Sequence, residues 1–214
     1  MLVSLDSTGR TYALPAHKLP SARGQGEPLT SSVNPPMGAT FKGLVMGGDN
    51  DKYVMLSDAG YGFLCEIENM LTKNKKGKAT LSVPKGANAL PALPVPDLES
   101  YFIAVVTTAG YLTIYSITEL PELAKGKGVK LINVPVKLLK AREEYVLGAT
   151  TFKKGQHVLV HAGKRYLRLK GQDLEHYAGE RGKRGRKLPK GFQAVKGITT
   201  EAASATQEDI LQSE

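Results

Sequence analysis

The chain has 214 residues, 41% of them hydrophobic, with one cysteine, no tryptophan and a formal net charge of +9. One cysteine excludes an internal disulfide and fits a reducing, cytoplasmic setting. No apolar run approaches the length of a membrane span and no signal peptide opens the chain, so the expected partner is a polyanion rather than a membrane.

A strand–glycine–strand pattern recurs along the chain. The first copy is Val3–Leu5, a turn at Gly9, then Thr11–Leu14; the second is Val54–Leu56, Gly60, then Tyr61–Cys65. The third is Ala104–Val106, Gly110, then Tyr111–Tyr115; the fourth is Val158–Val160, Gly163, then Lys164–Leu169. The turn glycines are 51, 50 and 53 residues apart. A period of this length with alternating, strand-type patterning predicts an array of small sheets. An apolar anchor follows each glycine after ten or eleven residues, at Leu19, Met70, Leu120 and Leu174. Pro20 and Pro121 keep any helical turn there short.

Each copy then carries a loop of glycine and positive charge: Arg23–Gly26, Lys73–Lys78, Lys125–Gly128 and Arg181–Lys187. Strands Ala79–Val83 and Val129–Val134 are expected to close their units. Phe41–Met46 with Tyr53–Leu56, and Tyr145–Phe152 with His157–Val160, read as leading hairpins. A full unit thus has four strands, which makes the fold all-β and propeller-like. The first unit has no leading hairpin, so part of a blade is expected upstream. The expected boundaries are a domain at 1–198, with units near 1–40, 41–90, 91–140 and 141–198. A disordered acidic tail is expected at 199–214.

Charge is unevenly placed. Residues 153–196 hold thirteen Lys/Arg against three Asp/Glu, whereas residues 197–214 hold four acids and no base. Glycine lets a backbone approach a phosphate closely, and neighbouring Lys and Arg displace condensed counterions. Four such loops at matching positions point to a positive rim on which a duplex can lie. Other chemistry is not expected. His157 and His161 share a strand face without a third metal ligand. Cys65 sits in an alternating apolar stretch and reads as core. Gly77-Lys78-Ala79-Thr80 lacks the helix of a P-loop, and the pairs Asp49/Asp51 and Glu66/Glu68 flank turns. Neither a catalytic residue nor a metal or cofactor is expected.

Long strings of this sequence resemble a known family. Leu5–Arg10, Leu19–Leu29, Ser57–Phe63, Leu123–Gly128 and Gly179–Gly185 closely resemble the C-terminal domain of ParC, the A subunit of bacterial topoisomerase IV, in its gammaproteobacterial form. The resemblance runs from Leu2 to about Lys196. It implies a β-pinwheel, a ring whose blades exchange a strand, with about four of five blades present. It also implies a non-catalytic, DNA-binding role that steers decatenation and supercoil relaxation; strand cleavage belongs to a separate domain. The implied partners are double-stranded DNA, the rest of the ParC chain and the ParE subunit, in the nucleoid-bearing cytoplasm. The Gln-Arg-Arg-Gly wrapping box of the related gyrase A domain does not occur here, so tight wrapping is not expected. The last blade is similar to one that docks the MukB condensin. Arg165 occupies one matching position, and Lys190 stands where the pattern has arginine, keeping charge but losing bidentate geometry.

The expected phosphate contacts are Arg10, Arg23, Lys73, Lys75, Lys76, Lys78, Lys125, Lys127 and Lys130. Arg168, Arg181, Lys183, Arg184 and Arg186 add a last-blade patch, and Arg165 with Lys190 forms the partner-binding pair. Two rivals remain within this reading: a protein-interaction propeller docking a condensin, and the equivalent domain of gyrase A.

Overall fold

A computed structural model describes residues 1–19 and 24–202. Fifteen strands form along them: β1 (Leu2–Asp6), β2 (Arg10–Leu14), β3 (Phe41–Met46), β4 (Lys52–Leu56), β5 (Tyr61–Glu66), β6 (Lys78–Ala79), β7 (Leu93–Val95) and β8 (Tyr101–Thr107). The rest are β9 (Tyr111–Ser116), β10 (Val129–Lys130), β11 (Val146–Lys153), β12 (His157–Ala162), β13 (Arg165–Leu169), β14 (Arg186–Lys187) and β15 (Gly197–Glu201). Helices are single turns, such as α1 (Ile67–Met70), α2 (Val136–Lys140) and α3 (Gln172–His176). None of the described helices is long and apolar enough to cross a membrane.

The strands build four sheets on one plan, with orders β3-β1-β2-β6, β7-β4-β5-β10, β11-β8-β9-β14 and β15-β12-β13. Each has a central hairpin whose turn holds Gly9, Gly60, Gly110 or Gly163, all at positive φ. A following strand adds to the first arm of the hairpin. In three sheets a two-residue strand from the next unit's basic loop adds to the second arm. The blades therefore exchange strands, as in a β-pinwheel.

Two hairpins read from the sequence do not form. Phe41–Met46 pairs with β1, and β11 pairs with β8 over seven residue pairs. The reason is edge occupancy. Both edges of β4 are taken by β5 and β7, and both edges of β12 by β13 and β15. The turns before β4 and β12 therefore carry the chain from one sheet to the next, and the first and third sheets extend beyond residues 40 and 140. β7 went unread because it contains Pro94, which an edge strand tolerates. At the far end, Thr199–Glu201 belong to β15 and pair with His157–Leu159. Those three residues are sheet, not tail; residues 203–214 lie outside the described residues.

The core lies between sheets. Val54 and Leu56 pack with Ile103 and Val105 of the third sheet, while Met55 packs with Val3 and Leu5 of the first. Ala104 and Val106 pack with Val158 and Val160 of the fourth. Successive residues of β4 and β8 thus face opposite neighbours, so these strands read as continuous apolar runs. Full burial of a side chain such as Met55 or Phe63 contributes roughly 1.5–3 kcal/mol. Of the four apolar anchors, Met70 and Leu120 are buried and Leu174 half-buried, but Leu19 remains 43% exposed. The outer face of the first sheet is partly covered by Leu29, Val33 and Phe41.

Candidate nucleic-acid interface

The basic loops reach equivalent places because the exchanged strands dock them. Lys78 pairs with Thr11, Val129 with Gly62, and Arg186 with Leu112. One residue earlier, Gly77, Gly128 and Gly185 all have positive φ near +75°. A Cβ on Gly128 would overlap the Gly62 carbonyl, so this close approach needs glycine. After each short strand a buried leucine closes the dock. The amides of Leu81, Leu131 and Leu188 donate to the carbonyls of Gly9, Gly60 and Gly110 at 3.0, 2.7 and 2.8 Å.

The loops are also linked to one another. The second residue before each docking glycine accepts a backbone hydrogen bond from the stretch that follows the preceding loop. Asn34 donates to Lys75 at 2.7 Å, Ser82 to Gly126 at 2.7 Å, and Asn133 to Lys183 at 2.9 Å. Loops 73–78, 125–128 and 181–187 are therefore linked in series, each through the stretch that follows it, as one belt.

Along that belt the predicted residues divide into two kinds. Lys73, Lys75, Lys76, Lys125 and Lys127 are exposed and their ammonium groups donate no hydrogen bond to the described residues, although Lys127 rests over the Tyr61 ring at 4.3 Å. Lys183 is exposed and only loosely faces Glu180 at 3.7 Å. Arg186 is exposed, 3.3 Å from the His176 ring nitrogen. The others also bond within the fold. Arg10 donates to the carbonyls of Lys76 and Gly77, holding the next unit's loop. Lys78 donates to Asn69 and half-buried Lys130 to Asn133. Arg181 donates to the Lys130 carbonyl. Arg184 bonds the buried Glu144 carboxylate at 2.7 Å and the Asn133 carbonyl, and stacks on Tyr111 at 3.9 Å. Arg168 pairs with Glu201 at 3.0 Å. Arg23 lies outside the described residues.

The structure brings Arg165 and the segment after Lys190 together: the guanidinium donates to the Gly191 carbonyl and covers the Phe192 ring. Exposed Lys187, 5.3 Å from the Tyr111 ring, was not among the sequence candidates. Its signal was present, because Gly185-Arg186-Lys187 has the spacing of Gly128-Val129-Lys130. Tyr61 and Tyr111 serve as the seats of the loop cations. Away from the belt, His161 is bonded to Thr199 at 2.7 Å. Burial pushes the Cys65 thiol up to about 12. Among the described residues no three His, Cys, Asp or Glu converge as a metal site would.

No protein-family model matches the chain. Over 193 residues it is 51% identical to the A subunit of DNA topoisomerase 4 from Pseudomonas aeruginosa, covering 90% of this chain and 26% of that protein. Against its Escherichia coli K12 counterpart it is 39% identical over 194 residues, 91% of this chain and 26% of that one. The chain spans about a quarter of the length of these curated relatives. Among solved structures, the E. coli ParC C-terminal domain superposes with a TM-score of 0.86 at 37% identity, over 94% of this chain and 81% of that one. A DNA gyrase A C-terminal domain superposes at 0.69 with 14% identity, a likeness of fold, over 95% of this chain and 65% of that one. With four strand-exchanging blades and these relatives, the chain belongs to the β-pinwheel family of the ParC C-terminal domain, from the A subunit of topoisomerase IV.

Proposed function

We propose that this chain is a non-catalytic DNA-holding module, and that within a topoisomerase IV holoenzyme it binds and bends a duplex segment so as to bias which crossings are passed. The observation that carries this reading is the belt. Three cationic loops are each docked at the same point of a blade, and the stretch that follows one is hydrogen-bonded to the next. Their free charges sit on flexible lysines, which neutralise phosphates without reading bases, so binding should be largely indifferent to sequence. Cleavage chemistry would then reside elsewhere in the ParC chain, with ParE as its partner and the nucleoid as the place of work. Electrophoretic mobility shift on linear and supercoiled DNA across a salt series tests the reading. With roughly six phosphates neutralised, the log–log slope of affinity against salt should be near −5. A slope near zero would overturn it.

The Arg165–Phe192 contact beside exposed Lys190 favours a second reading, in which the last blade also docks a protein such as a MukB-type condensin. Charge reversal at both positions should abolish that docking and spare DNA binding.

A further inference from the structure

The three docks of the belt differ beneath their glycines. The third residue after each turn glycine faces the docking glycine of the exchanged strand. It is Tyr12 at Gly77, Phe63 at Gly128 and Thr113 at Gly185. A Cβ on Gly77 would strike the Tyr12 ring, and one on Gly128 would strike the Phe63 ring as well as the Gly62 carbonyl. Both rings are wholly buried. The third dock has no ring at this place. A second position is smaller there too. The amide of Leu123 donates to the Leu64 carbonyl, and the amide of Gly179 makes the same bond to Ile114. Leu123 packs into the cluster that holds Phe63, whereas Gly179 has no side chain to offer.

Small residues at both positions leave a cavity of about 380 Å³, whose lining includes Thr113, Tyr177, Gly179, Glu180, Lys183 and Arg186. The groups missing from it are side chains at described positions, not a strand from elsewhere in the chain. Thr113 is buried, and its hydroxyl has no hydrogen-bond partner among the described residues. In the first dock the Tyr12 hydroxyl at this place is bonded to Asp6 at 2.6 Å. A buried hydroxyl without a partner is costly, so the Thr113 hydroxyl is a ready anchor for an incoming polar edge. A Cβ on Gly179 would come within 3.3 Å of it, and glycine keeps that approach clear. Lys183, loosely paired with Glu180 at 3.7 Å, and Arg186, 3.3 Å from the His176 ring nitrogen, flank the opening. Two cations against one carboxylate leave it positive.

We infer that the third dock is a seat for one unpaired nucleobase of the DNA held on the belt, an inference that rests on the reading of the belt as a DNA track. The base ring takes the space that the Tyr12 or Phe63 ring fills in the other docks. Its polar edge meets the Thr113 hydroxyl, and its flanking phosphates lie on Lys183 and Arg186. Drawing a base out of an intact duplex costs stacking and pairing, so the seat serves bases that are already unpaired, as at a bulge. The belt thereby holds a distorted duplex more tightly than a regular one.

The experiment uses this chain within the full-length topoisomerase IV A subunit and three fluorescent duplexes of one length. One is fully paired, one carries a single-nucleotide bulge, and one carries the same bulge without its base. Anisotropy at fixed salt reads affinity. The bulged duplex should bind about tenfold more tightly than the paired one. The baseless bulge bends as readily but offers no ring, so it should bind like the paired duplex. Thr113→Phe refills the space as Phe63 does, and Gly179→Ala crowds the hydroxyl. Each should erase the preference and leave paired-duplex binding within about twofold. Should Thr113→Phe fail to fold, shown by its melting curve, Gly179→Ala decides. Equal affinity for both bulges would mean that DNA flexibility alone is read, which overturns the seat. A preference that survives the folded variants, or no preference at all, overturns it as well. Paired-duplex affinity in the same samples reports on the belt, so the seat and the belt fail separately.

Discussion

Arg184 and Lys183 are neighbours in sequence with opposite duties. Arg184 neutralises Glu144, whose side chain is 2% exposed. Removing it strands a buried carboxylate, so Arg184→Ala should cost about 3–5 kcal/mol, read as a lowered urea midpoint. Lys183 is 72% exposed and its ion pair is loose. Lys183→Ala should leave stability within about 0.5 kcal/mol yet reduce the steepness of the salt dependence by roughly 0.9. Both residues looked alike in sequence, as cations of one Gly-rich loop. Only the fold separates them, because Glu144 lies forty positions away in the chain. Cys65 gives a pH signature. Burial raises its thiol from 9.0 to about 12, so the folded state holds the proton longer than the unfolded one. Its contribution is complete below pH 9 and lost as pH rises through about 12. Cys65→Ala should flatten the alkaline fall in stability over that window, measured by denaturant titration at several pH values.

At the level of elements, the two-residue strands β6, β10 and β14 decide where the charged loops go. Each is too short to be recognised by periodicity, yet each is fixed by a glycine before it and a buried leucine after it. Gly128→Ala forces a Cβ against the Gly62 carbonyl at a positive φ. It should cost roughly 1–3 kcal/mol and loosen loop 125–128, read as faster trypsin cleavage after Lys127. The four central hairpins were legible from the sequence, because their apolar runs and turn glycines are local signals. The partners of β3 and β11 were not, because edge availability depends on strands far along the chain.

Across the whole molecule, the loops act as a track only if the blades hold them in line. Replacing Lys75, Lys125 and Lys183 with Ala, one per loop, should reduce the salt slope by roughly 0.9 for each lysine and leave the fold unchanged. Removing residues 203–214, which contain Glu208, Asp209 and Glu214, should tighten DNA binding slightly, because a tail of the same sign as DNA no longer competes for the belt. Removal from 199 instead deletes part of β15 and should destabilise the last blade. The repeat, the all-β class, the basic loops and the family could all be read from the amino acids, since each is written in local spacing or in long shared strings. Which cations are free, and which are locked onto carbonyls and carboxylates, emerges only once the chain is folded. The same holds for the bonds that tie the stretch after one loop to the next loop. Those outcomes depend on hydrogen-bond partners far apart in the chain, as in Ser82 with Gly126 and Asn133 with Lys183, and no local pattern encodes such pairs.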